Sequence, residues 1–364
     1  PRDEKLNATD IDGLYELNWR NSDGTPGDKF DLNSPSLTGK LAGLVAVRDG
    51  NNNYGFVGKT VAAGTDATGT YMTMETDKPF YLNDLNIPDK GKITVYGVDY
   101  YYDDFEAQYD NTTGEITSYT FRNLKVLDTD GATRIPANPA SIGTGLTARI
   151  GESVDFEGVP YYMSKLNEFV RNFSRHMNDL CVSGVDFEGN QGLDMLNTVD
   201  TNGNSLNLSA TVGDTSFTSK GASYYRLTAL NWDVHEEVVK DPKNKVVVSR
   251  SRAIEQENIE DCHLLEEIKE SLIDHSIFKQ GTPFEYLESI ISTMGVQTQK
   301  CKVAEEHQNN IVYSINYQRL SESSVDANEE ASNLIIQQNG YSLACKVMSV
   351  LDEIYDKLIN GTGV

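Results

Sequence analysis

Near the C-terminus, Tyr341, Ala344, Met348, Leu351, Tyr355 and Leu358 recur at alternating steps of three and four residues, and Leu334 sits one heptad upstream. An α-helix returns to the same face every 3.6 residues, so this rhythm predicts one long helix with a seam of coiled-coil type. Ile335, Val347 and Ile354 lay a second apolar stripe beside the first. Two stripes let a helix touch more than one surface at once. Periodicity alone still favours an ordinary helix packed in a bundle. At the predicted start, Asp326 can cap the helix, with Glu329 completing a capping box. Glu329 and Glu330 both suit the positive end of the helix dipole. Burying the large side chains of the stripes would contribute on the order of 10–20 kcal/mol gross. Ordering the helix offsets much of that, so without a partner the segment is expected to be marginal.

The remainder of the 364 residues alternates between β and helical texture. Residues 1–50 close on "GKLAGLVAVRDG", a short helix predicted from Gly39 to Arg48 and stopped by Asp49-Gly50. From 51 to 157 the chain turns rich in Gly, Thr, Asn and Tyr. "KITVYGVDYYY" carries strand signals, and "FEAQYDNTTGEITSYTF" predicts a hairpin turning on Asp110, Asn111 and Gly114, with Tyr119 and Phe121 on one face. Residues 158–192 hold a long helix whose apolar positions are Met163, Leu166, Phe169, Val170, Phe173, Met177 and Leu180, with Gly184 as its stop. A smaller β excursion spans 193–248. Helices resume over 249–325, where Thr282-Pro283 is the N-cap and first turn of one helix and a second is expected from Gln297 to Ser321. The segment 326–364 is the terminal helix.

Composition removes several functions. With 31 basic and 55 acidic residues the net charge is −24, which repels nucleic acid and anionic membrane. No run is long enough to span a bilayer, and "PRDEKLNATD" lacks the pattern of a signal peptide. The chain is therefore expected to be cytosolic, exported without a cleaved signal, or a fragment. Cys181, Cys262, Cys301 and Cys345 form neither a zinc pattern nor a disulfide framework, and Cys345 is expected to be a small buried hydrophobe.

Catalytic patterns fare no better. "DVHEEVVKD" lacks the second His of a zincin, and Cys262-His263 has no third group at a useful spacing. "DTDGATR" (128–134) and "VDTNGNSLN" (199–207) begin like calcium loops, but neither supplies the twelfth-position Glu, so ordinary Asp-Gly and Asn-Gly turns are expected. "GTGL" (143–146) is no phosphate loop, and the sequon at Asn111 says only that its turn is exposed. No enzyme, cofactor or metal is expected.

With chemistry set aside, the order of the helical segments carries the reading. "VPYYMSKLNEFVRNFSRHMNDLCVSGVDFEGNQGLDML" places Asn178 near a helix end, followed by Gly184, Asp186, Gly189 and Gly192. This resembles the flagellar hook-associated protein 1 family, in which a long helix with an Asn near its end precedes a Gly-Asp-x-x-Gly-x-x-Gly loop. "GKLAGLVAVRDG" and "TPFEYLESIISTMG" are similar to further segments of that family. The final stretch resembles the C-terminal signature of rod, hook and junction proteins through Ser324, Val325, Asp326, Glu329, Glu330, Leu334, Ile335, Gln338, Tyr341, Ala344 and Leu358.

The resemblance implies an α+β multidomain fold: a discontinuous long-helix bundle of axial-protein type with inserted β-rich domains. It implies a structural subunit joining hook to filament, exported by a type III route without a cleaved signal and placed outside the cell on the flagellum. Its implied partners are copies of itself, hook protein, the second junction protein, and an export chaperone at the terminal helix. The family's N-terminal helical half is absent from these residues, so a C-terminal fragment is expected, with 51–157 as an added outer domain. On this reading Leu334, Ile335, Tyr341, Ala344, Val347, Met348, Leu351, Ile354, Tyr355 and Leu358 form the assembly interface, and Asp326 and Glu329 cap it. The competing expectation is a secreted adhesin whose 51–157 domain presents Tyr96, Tyr100, Tyr101, Tyr102 and Tyr109 as a ligand face.

Overall fold

The computed structural model describes residues 18–32, 34–82, 85–128, 133–186, 188–200, 202–208, 215–250, 262–279, 281–323 and 326–362. The fold is α+β, and the chain divides into two compact units, Pro1–Met294 and Gly295–Val364. In chain order the elements are β1 (Asn18–Arg20), β2 (Pro26–Lys29), α1 (Gly39–Asp49), β3 (Phe56–Asp66), β4 (Gly69–Thr76), β5 (Gly91–Val95), β6 (Val98–Tyr102), β7 (Asp104–Tyr109) and β8 (Ile116–Arg122). There follow β9 (Lys125–Leu127), β10 (Arg134–Pro136), β11 (Thr147–Ile150), α2 (Val159–Ser183), β12 (Leu196–Asn197), β13 (Ser216–Thr218) and β14 (Asp233–Val234). The chain ends with α3 (Glu236–Lys240), α4 (Pro242–Lys245), α5 (His263–Ser271), α6 (Pro283–Ser323) and α7 (Ala327–Gly361).

The first unit is built on one antiparallel sheet, ordered β10-β9-β6-β5-β11-β3-β4-β8-β7-β13. Alternation along its strands sends Phe56, Met72, Met74, Ile93, Phe105, Tyr119, Phe121 and Ile150 into a single core. The sheet is strongly curled. Between β6 and β8 lie β5, β11, β3 and β4, which would separate them by about 24 Å if flat. The Tyr102 and Phe121 rings nevertheless meet edge-on at 4.8 Å between centroids. The expected hairpin is β7–β8, with the Asp110 carboxylate accepting from the Thr112 and Thr113 amides to set its turn. "KITVYGVDYYY" is itself two strands. Tyr96 and Gly97, at φ +46 and +85, make the two-residue turn between β5 and β6 whose twist matches the strands.

The tyrosine ligand face does not form. Tyr100 and Tyr102 are buried in the core, the Tyr102 hydroxyl donates to the Pro88 carbonyl, and Tyr101 lies under the Arg134 guanidinium. Only Tyr96, at the turn, is widely exposed. Strand alternation divides these residues between opposite faces, so they present no common surface.

The ends of the 51–157 segment meet at a narrow neck. The Gly158 and Tyr161 amides both donate to the Gly50 carbonyl, and Asn52 N donates to Phe156 O. A Cβ on Gly50 would lie 2.4 Å from the Ala46 carbonyl oxygen, and one on Gly158 would lie 2.5 Å from that of Val47. Asn51 closes the neck by donating to the Glu152 carbonyl and accepting from the Val154 amide. The sheet also takes a strand from outside this segment. β13, in the 193–248 excursion, pairs with β7 and adds Phe217 to the core, and Tyr225 joins it there.

α2 runs to the expected stop at Gly184, and Phe169, Val170 and Met177 are buried. Its other buried face is polar. Asn167 donates to the Asn86 side chain and accepts from Ala229 N. Arg171 donates to the Leu85, Tyr225 and Leu227 carbonyls and lies over the Tyr225 ring. Asn178 grips one residue at both ends of its peptide units, donating to Leu196 O at 2.7 Å and accepting from Leu196 N at 2.8 Å. At spacings of four and seven these residues share a helix face, and they satisfy backbone groups of segments that have little regular structure of their own. Phe169 stacks on Phe278 beside Tyr286, which brings the start of α6 against α2.

α6 is one continuous helix of 41 residues, where the sequence predicts two. Gly295 costs about 1 kcal/mol relative to Ala but removes no hydrogen bond, and with no proline beside it the helix continues. Its start carries a full capping box: Thr282 N donates to the Glu285 carboxylate and Glu285 N donates to Thr282 Oγ1.

Candidate assembly surface

α7 begins at Asp326, whose carboxylate accepts from Asn328 N at 2.8 Å. Glu329 and Glu330 occupy its first turn. Ser324 and Val325 lie outside the described residues. No residue of α7 is buried. Leu334, Ile335, Tyr341, Val347, Met348, Leu351, Ile354, Tyr355 and Leu358 are all exposed large apolar side chains, and Ala344 is exposed among them.

The apolar surface is wider than the two expected stripes. Ile336, Leu343, Val350 and Ile359 are exposed as well. The first three recur every seven residues beside Val347 and Ile354, a repeat that a search for the 3-4 seam alone passes over. At 100° per residue, the apolar side chains from Tyr341 to Ile359 sweep about half the helix circumference. Ser342, Lys346, Ser349, Asp352, Glu353, Asp356 and Lys357 occupy the other half. Cys345 falls on that polar half and is exposed, not buried as expected. In the same unit, α6 from Thr298 to Glu322 also leaves its side chains exposed, among them Ile311, Val312, Ile315 and Leu320. An apolar surface of this extent is suited to being covered by another apolar surface.

The other marked motif follows α2. Asp186 accepts from Glu188 N and Asn190 N through one oxygen, and from Asn190 Nδ2 and Lys245 Nζ through the other. Burial opposes the charge, but the Asn190 and Lys245 contacts outweigh it and hold the carboxyl down to about 2. Fourteen residues on, Asp200 repeats the arrangement, accepting from Asn202 N and Asn204 N. Gly189 and Gly203 take φ of +86 and +85 at equivalent places, and Val185 and Val199 bridge to Gln191 and Ser205. "VDFEGN" and "VDTNGN" are therefore one loop used twice, a repeat visible in the sequence but hidden there by its calcium-like letters. Both carboxylates are occupied within their own loops, and Asp186 is held by Lys245 as well. Gly192 is pinned against the helix end, where a Cβ would sit 2.0 Å from Cys181 O.

The remaining candidates are dispersed. His235 caps α3 by accepting from Glu237 N, and His263 is exposed beside Glu266. Cys262 precedes α5 at the surface, whereas Cys181 is buried and burial pushes its thiol up to about 11. The 128–134 loop falls largely outside the described residues. Among the described residues no group of three or more His, Cys, Asp or Glu is placed to hold a metal, and no helix is long and apolar enough to cross a membrane.

α7, with its uncovered apolar half, and the exposed end of α6 before it make up the part of the chain that a known protein family shares. Residues 318–361 match the family described as flagellar basal body rod FlgEFG protein C-terminal. Over 345 residues, 93% of the chain, the sequence is 24% identical to flagellar hook-associated protein 1 of Bacillus subtilis (strain 168). The chain spans 58% of the length of that relative. It is thus like flagellar hook-associated protein 1, and both likenesses support a structural role in the flagellum.

Proposed function

We propose that the chain is a structural, non-enzymatic subunit at the junction between hook and filament. The observation that carries this reading is that, in the matched region 318–361, every described apolar side chain of the end of α6 and of α7 is exposed. On this reading Leu334, Tyr341, Val347, Met348, Leu351, Ile354, Tyr355 and Leu358 pack against an N-terminal helix and the helices of neighbouring copies, and the long helices form a bundle only on assembly. The domain at 51–157, the excursion at 193–248 and the helices of 158–192 and 249–325 occupy successive outer shells. Hook protein and the second junction protein contact the assembled subunit, and an export chaperone covers the terminal helix before assembly. The protein leaves the cell by the type III route and resides on the flagellum.

The test is complementation of a strain lacking the gene by a chain deleted for 326–364, beside a full-length Leu351→Glu, Ile354→Glu variant. Both are expected to be non-motile with hooks that bear no filament. Wild-type filaments on cells carrying the deletion would overturn the reading.

A further inference from the structure

The sequence holds three Asn-Gly pairs, at 202–203, 339–340 and 360–361. Glycine has no side chain to shield its amide nitrogen, so that nitrogen can attack the preceding carboxamide carbon once the backbone leaves the helical region. Two of the pairs are held against this. Gly203 N donates to Asp200 O at 3.1 Å inside the second Asp loop, and the Asn360 carboxamide donates to Asp356 Oδ1 at 2.6 Å. Asn339 differs. Its carboxamide makes no hydrogen bond to any described residue, and Asn339 and Gly340 are both exposed within α7. Packing does not require the glycine: a Cβ on Gly340 would meet nothing within 4 Å. A glycine inside a helix weakens it locally. The pair is kept apart only by the helix's own bonding, in which the Gly340 amide bonds four residues back. Since no residue of α7 is buried, packing does not back that bonding, and local opening costs little.

We propose that Asn339-Gly340 is a self-modifying site that sets how long an unassembled chain stays fit to assemble. When α7 opens, Gly340 N bonds to Asn339 Cγ and the Cγ–Nδ2 bond breaks. The Gly340 amide proton leaves with the amide group as ammonia. Water then opens the cyclic imide at one of its two carbonyls, giving aspartate in one case and isoaspartate in the other. Water is the sole co-reactant. Isoaspartate carries the main chain through the side-chain methylene, one atom longer, so the helix loses phase across it. Leu334 and Ile335 then fall out of line with Tyr341, Met348 and Leu351, and the apolar half of α7 is divided. Cover from an assembly holds the helix shut and stops the reaction. The consequence for assembly rests on the junction reading above; the chemistry does not.

The test ages the full chain over days at physiological temperature and pH, beside a sample unfolded in guanidinium chloride at the same pH. Peptide mapping with isoaspartate detection reads Asn339 in both. In the native chain Asn339 is expected to convert at no less than about one-tenth of the unfolded rate, the fraction that an opening free energy of about 1.4 kcal/mol allows. Slowing by about a hundredfold or more means that α7 stays shut, and overturns the proposal. Fresh and aged chains are then bound to isolated hooks from a strain lacking the gene. Wild-type binding is expected to fall in proportion to isoaspartate at Asn339, while aged Asn339→Gln binds as the fresh variant does. Equal binding by aged and fresh wild type, or an equal loss in Asn339→Gln, overturns the proposal. Fresh wild type that fails to bind hooks overturns the junction reading instead, and the rate at Asn339, read without hooks, still decides the chemistry.

Discussion

Asn178 shows how much rests on single polar side chains here. Its amide meets both the N–H and the carbonyl of Leu196 in a fully buried setting. Asn178→Asp replaces the donor with a second acceptor facing a carbonyl, and is expected to cost about 3 kcal/mol or more in denaturant unfolding, against about 1–3 kcal/mol for each group that Asn178→Ala leaves unmet. Asp186 supplies a pH dependence. Its folded carboxyl sits at about 2, below its unfolded value of 3.8, so its contribution is present above about 4 and is lost as pH falls toward 2. Melting of the wild type should drop faster between those limits than melting of Asp186→Asn. At Cys181 burial disfavours the thiolate, so a thiol reagent should label Cys262, Cys301 and Cys345 quickly in the native chain and Cys181 only on unfolding.

Among elements, those whose signals are local were legible in the sequence. The β7–β8 turn rests on Asp110 bonding to its own neighbours, and α1 and α2 end where glycine ends them. The polar face of α2 was not legible. Asn167 and Arg171 carry no local signal of burial and Asn178 enters only through the family resemblance, because the backbone groups they meet belong to segments distant in sequence. α7 was legible as a helix, yet its width was not, since Ile336, Leu343 and Val350 belong to a repeat of seven that the 3-4 seam conceals. Because no α7 side chain is buried, Leu351→Glu is expected to change unfolding of the isolated chain by no more than about 0.5 kcal/mol while abolishing assembly. Loss of stability in the isolated chain would instead show that α7 packs within it. Gly50→Ala should do the opposite, destabilising the chain through the 2.4 Å approach to Ala46 O without touching the assembly surface.

In the whole molecule, non-local pairing is what the sequence hides best. Nothing near Ser216 announces that it will lie beside Gln108, because register with a distant strand leaves no local trace. This tenth strand also orders events in time. As the chain emerges from N- to C-terminus, the rest of the sheet can form while β7 remains an open edge, and Phe105 and Tyr119 wait for the cover that Phe217 and Tyr225 complete. A nascent chain released before Thr218 therefore displays an unpaired strand of the kind that templates aggregation. Pulsed hydrogen exchange during refolding should find the Ser219 amide, which bonds to Phe105 O, protected later than the amides joining β7 to β8. On that expectation the 193–248 excursion is the last piece to close the sheet, the edge strand β7 staying open until β13 pairs with it.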